Sequence, residues 1–97
     1  MTPAWAARER TFFRSTMQAL DGKQVYVASA YERQSANTFR DYVEYLGKRE
    51  PTNGAYAYIV HLATRNVEFV GCGSVKFVVL SNQRRGLRPD SIIYEEG

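Results

Sequence analysis

Gln24-Val25-Tyr26-Val27-Ala28, running on into Ser29-Ala30-Tyr31-Glu32, is the stretch whose reading decides the fold. The first five residues are short and rich in β-branched and aromatic side chains, the composition of a strand. Ser29 and Glu32 then stand at the S-x-x-E spacing of a capping box, in which a hydroxyl and a carboxylate satisfy orphan N–H groups at a helix start. A helix is therefore expected from about Ala30. Ala36, Phe39, Tyr42, Val43 and Leu46 recur at three- and four-residue intervals and form one apolar face, with Arg33, Arg40, Asp41 and Glu44 mostly on the other. Gly47 is the expected stop. A strand feeding directly into an amphipathic helix makes the class α/β.

Upstream, Thr2-Pro3 reads as a helix start, a Thr cap with Pro in the first turn. No Gly or Pro interrupts Ala4 to Leu20; Phe13, Thr16, Met17 and Leu20 share a face, and Asp21-Gly22 ends the helix. Downstream, Glu50 to Gly54 reads as a turn, and Ala55 to Leu62 as an apolar strand. Residues 66–70 and 74–80 flank Gly71-Cys72-Gly73. Val75, Phe77 and Val79 alternate with Ser74, Lys76 and Val78, the pattern of a β-hairpin. A polar, basic loop covers 81–89, and Ser91 to Tyr94 is a last short strand. With so little to cover that strand, the chain reads like the middle of a larger sheet.

Composition narrows the function classes. Ninety-seven residues make one domain or part of one, with a single modest core. A net charge of +3 is compatible with a polyanionic partner. The single cysteine, Cys72, excludes an internal disulfide, and with one histidine it cannot complete a structural zinc site of the usual kind. No apolar run reaches the length of a membrane span, and no signal-peptide pattern opens the chain. The expectation is a cytoplasmic protein without membrane contact.

The segment Arg84-Arg85-Gly86-Leu87-Arg88-Pro89-Asp90-Ser91-Ile92-Ile93-Tyr94-Glu95-Glu96 carries the most chemistry: a basic loop, an apolar strand and two acids. It resembles the large terminase subunit, the ATPase of viral DNA-packaging motors, where an R-G-x-x-P-D loop leads into the Walker B strand. Two further stretches are similar to that family in the same order. One is residues 22–30 with Gln34-Ser35-Ala36 and Phe39, like the strand and helix after the Walker A helix. The other is Phe69-Val70-Gly71-Cys72-Gly73-Ser74-Val75-Lys76-Phe77, like its G-S-x-I-x-F hairpin. Together they span residues 22–96. The resemblance implies an incomplete P-loop-NTPase-like (ASCE) sheet with two helices and a β-hairpin, a single partial ATPase-core domain over 1–97 with an N-terminal helix over 1–21. It implies Glu95 as the Mg²⁺ acid, Glu96 as the catalytic acid that orients or deprotonates the attacking water, and Arg84, Arg85 and Arg88 as phosphate contacts. Glu95 departs from the usual Asp at the first acid. ATP and Mg²⁺ are the implied cofactors of the complete family protein. Double-stranded DNA, the portal and the small terminase subunit are its implied partners, and oligomerisation would use surfaces meant for missing domains.

The phosphate-binding motif G-x-x-x-x-G-K-S/T is nowhere in the sequence. The nearest register, Ala4 to Thr11, keeps Arg10 at the Lys position and Thr11, with Glu9 replacing a glycine. A fragment, a split-gene product or a degenerate remnant is therefore expected, with no ATP hydrolysis and no bound cofactor for the isolated chain. Glu95→Gln and Glu96→Gln are expected to be near neutral or slightly stabilising there, since adjacent carboxylates without a metal repel. The alternative is a small basic α/β nucleic-acid-binding module, with Tyr26, Tyr31, Tyr42, Tyr45, Tyr56 and Tyr58 as candidate stacking residues, although several fall on core faces. Assembly through exposed sheet edges is a third reading, and a Cys72–His61 dyad is the weakest candidate for chemistry.

Overall fold

A computed structural model describes residues 3–53, 57–80 and 89–95, with side chains at 6–48, 57–80 and 89–95. The elements run α1 (Pro3–Leu20), β1 (Gln24–Ser29), α2 (Glu32–Asn53), β2 (Tyr58–His61), β3 (Asn66–Phe69), β4 (Ser74–Val79) and β5 (Ser91–Tyr94). The strands form one mixed sheet in the order β2-β3-β4-β1-β5. β1 lies between two parallel neighbours, with Val27 opposite Phe77 of β4 and Ile93 of β5. β2, β3 and β4 form an antiparallel meander. The expected hairpin is its β3–β4 half, and the apolar run after residue 54 yields the shorter strand β2.

Alternation along the strands gives the sheet two unlike faces. Val25, Val27, Val67, Phe69, Val75, Phe77 and Ile93 pack into one core with Phe12 and Ala19 of α1 and Phe39, Tyr42, Tyr45 and Leu46 of α2. The Phe12 ring stands 5.2 Å from Tyr42 and 5.3 Å from Tyr45, which puts both helices on the same face. Burying one such ring contributes about 1.5–3 kcal/mol. Tyr42 is fully buried with its hydroxyl 2.6 Å from Thr16 Oγ1. Thr16 already donates to the Phe12 carbonyl at 2.8 Å, so Tyr42 is the donor. Among the described residues no helix covers the opposite face, where Lys76 Nζ lies 5.9 Å from the Tyr26 ring centroid.

The α1–β1 junction is tightly built. Gly22 has φ +92°, Lys23 N–H donates to Gln18 O at 3.2 Å and Gly22 N–H to Ala19 O at 2.9 Å, the paired bonds of a Schellman stop. Gly73, before β4, docks on this turn. Its N–H reaches Ala19 O at 2.7 Å, and the next N–H, of Ser74, reaches Lys23 O at 3.1 Å. A Cβ on Gly73 would lie 1.9 Å from Lys23 O, so no other residue fits without moving backbone.

Three sequence expectations are corrected. α2 does not stop at Gly47 but runs to Asn53, through the stretch read as a turn. One glycine costs a helix only about 1 kcal/mol, and buried Tyr45 and Leu46 with the Lys48–Glu44 pair at 3.3 Å hold the helix across it. The capping box does not form at Ser29, whose side chain is used elsewhere. α1 buries Phe12, Ser15, Thr16 and Ala19, while Phe13 and Met17 are 54% and 51% exposed. The expected stripe was one residue out of phase. No helix among the described residues is long and apolar enough to cross a membrane.

Candidate functional site

The carboxyl ends of β1 and β5 meet beneath the two helices. At the opposite end of this pair, Asp90 pins the register: its N–H donates to Gln24 O at 2.9 Å, and Gln24 N–H donates to Asp90 Oδ2 at 2.8 Å. The Pro89-Asp90 lead-in thus aligns β5 against β1. At the carboxyl end the ladder continues one residue past β5, with Glu95 N–H donating to Ala28 O at 2.8 Å. Alternation then turns Glu95 to the same side as buried Ile93, toward the helices, while Tyr94 faces away and is exposed.

The Glu95 side chain is only 6% exposed. Its carboxylate accepts from Ser29 Oγ at 2.9 Å, from Arg8 Nη2 at 3.1 Å, and from Thr38 Oγ1, which stands 2.8 and 2.6 Å from the two oxygens. Thr38 has one hydroxyl proton, so those two distances describe one shared bond. Arg8 also donates to Asp41 Oδ2 at 2.5 Å, so its guanidinium lies between two carboxylates. Four elements converge here: Glu95 directly follows β5, Ser29 ends β1, Arg8 lies on α1, and Thr38 and Asp41 lie on α2. Ser29 ends up here because it shares the core face with Val25 and Val27.

Of the residues to which the resemblance gives a role in the site, Glu95 falls among the described ones. Glu96, Arg84, Arg85 and Arg88 lie outside them. Arg8, Ser29, Thr38 and Asp41 were not picked out. One signal was legible: Thr38 falls on the buried stripe with Phe39, Tyr42 and Leu46, and a hydroxyl on a core face needs a partner, which it finds in Glu95. The expected helical stretch over Ala4 to Thr11 is present as part of α1.

Among the described residues no three His, Cys, Asp or Glu side chains are grouped to hold a metal. The Glu95 carboxylate is an oxygen ligand of the type Mg²⁺ takes, one or two from protein beside several waters, and in the chain itself both its oxygens are engaged by Arg8, Ser29 and Thr38. Arg8 supplies the counter-charge that Glu95 requires in the chain itself.

Beside this cluster an open cleft of about 620 Å³ is lined by Arg8, Tyr31, Arg33, Gln34, Asn37, Arg40 and Asp41. The tyrosines divide sharply: Tyr26, Tyr42 and Tyr45 are buried and Tyr58 is half-buried, whereas Tyr31 is 73% exposed. Tyr56 lies outside the described residues. Cys72 is exposed, and His61 is paired with Glu68 at 3.3 Å on the β2–β3 hairpin. Comparison with protein-family models, curated proteins and solved structures gives no match.

Proposed function

We propose that this chain is the sheet core of an ATP-driven DNA-packaging motor of the large-terminase kind, contributing the acid-bearing strand and not the phosphate-binding loop. The observation that carries the reading is the parallel β1–β5 pair with Glu95 at its carboxyl edge, the edge at which α/β sheets bind ligands. Glu95 would hold Mg²⁺ through water, and Ser29 and Thr38 orient its carboxylate for that task. Glu96, the next residue, would orient the attacking water, and Arg84, Arg85 and Arg88 would contact phosphate. Bound Mg²⁺ would neutralise charge developing on the transferred phosphoryl group. Double-stranded DNA, the portal and the small terminase subunit are the partners that follow from this reading.

The phosphate cradle must come from elsewhere, because no G-x-x-x-x-G-K-S/T occurs in the sequence and α1 is helical through the nearest register. The reading is tested by replacing the corresponding region of a complete large terminase with residues 22–96. A graft that binds Mg²⁺-ATP and hydrolyses it supports the proposal. A folded graft that binds Mg²⁺-ATP with no hydrolysis contradicts it.

A further inference from the structure

The cleft on α2 has a chemistry that the Glu95 cluster does not use. Arg33, Asn37 and Arg40 follow at i, i+4 and i+7, so they stand in one row along its wall. Gln34 adds a second amide. Arg40 Nη2 donates to Asn37 Oδ1 at 3.1 Å, which leaves most of its donors open, and Arg33 has no ion pair among the described residues. The neighbouring acid, Glu32, is engaged by Arg65 of the β2–β3 turn and does not cancel this charge. Asp41 is likewise engaged, by Arg8. Tyr31 stands in the same lining, 73% exposed, an aromatic ring with little packed on it.

A row of guanidinium and amide donors beside an exposed ring matches an unpaired nucleotide flanked by phosphates. Phosphate takes the arginines, the base stacks on the tyrosine, and the amides serve base edges or sugar. The volume lies within the range of sites for ligands of that size, about 300–1,000 Å³. We infer that this cleft binds single-stranded nucleic acid, with Tyr31 as the stacking platform and Arg33 and Arg40 as the phosphate contacts. This rests on α2 and on Tyr31, which directly precedes it, and not on the roles given to Glu95 and Glu96.

The test is fluorescence anisotropy of the whole chain with labelled oligothymidylate and oligouridylate of about ten nucleotides. Binding of either supports the inference, and the stronger one identifies DNA or RNA as the source. Tyr31→Ala should weaken binding about tenfold. The double change Arg33→Ala with Arg40→Ala should flatten the slope of log affinity against log salt by about 1.4, roughly 0.7 for each lost phosphate contact. Arg14→Ala, an exposed arginine on α1 outside the cleft, should leave both nearly unchanged. All four residues are solvent-facing, so the variants should melt like the parent. No binding to either oligonucleotide overturns the inference. So does a duplex that binds as well as the single strand with Tyr31→Ala without effect, or an Arg14→Ala loss equal to that of the double variant.

Discussion

Three donors on three elements hold the Glu95 carboxylate, and this reverses what the neighbouring acids suggested in the sequence. Two adjacent carboxylates read as mutual repulsion, so removing one charge looked harmless. In the fold, Glu95 is buried against Arg8, Ser29 and Thr38, and losing its charge leaves donors without a matched acceptor. Glu95→Gln should therefore lower stability by roughly 1–3 kcal/mol. For a domain of this size each kcal/mol moves the midpoint by about 4–8 °C, within easy reach of thermal melting. Arg8→Ala should also destabilise, because it strands two carboxylates. Combined with Glu95→Gln it should cost less than the sum of the two, with a coupling of roughly 0.5–3 kcal/mol. Additive losses would show that the Arg8–Glu95 contact at 3.1 Å carries no energy. Glu95 was legible because it directly follows an apolar strand. Its partners were not, because they stand 87, 66 and 57 residues away and only the fold brings them together.

Among the elements, the last strand, the β3–β4 hairpin and both limits of α1 were readable, and the limits of α2 were not. Residues 91–94 and the β3–β4 alternation gave the strands directly, since a period of two on a half-covered sheet tolerates little else. The end of α2 was misread because a glycine is only a weak stop when packing continues past it. The Ser29 cap was misread because its hydroxyl has a stronger offer, a charged acceptor at 2.9 Å. Gly71-Cys72-Gly73 was read as a turn, but nothing in the sequence shows that Gly73 serves a different purpose from Gly71. Gly71 adopts φ +76° in open space, whereas Gly73 is pressed against Lys23 backbone. Gly73→Ala should thus cost about 3 kcal/mol, as overpacking against unyielding backbone does. Chemical denaturation would measure it; a loss below about 0.5 kcal/mol, the size of an ordinary surface change, would contradict the docking described for this turn.

At the scale of the whole molecule, both helices share one sheet face and the described polar chemistry gathers at one edge. The α/β class followed from the first strand and helix, whereas the pairing of β1 with β5, 66 residues apart in sequence at Val27 and Ile93, is set by the fold. The placement of α1 beside α2 rests on Phe12, Tyr42 and Tyr45; periodicity put Tyr42 on the buried face, but the contact of the two helices through Phe12 is set by tertiary packing. Without a phosphate cradle the chain should bind Mg²⁺-ATP no tighter than roughly millimolar, about −4 kcal/mol. Micromolar binding by calorimetry would mean that the described edge builds a phosphate site by another route. The central proposal, that Glu96 orients the attacking water, is tested most directly by ATPase turnover after Glu96→Gln in the grafted terminase. The account predicts that hydrolysis is abolished while nucleotide binding is kept, since Gln preserves shape and removes the carboxylate. Hydrolysis at the parent rate in that variant would contradict it.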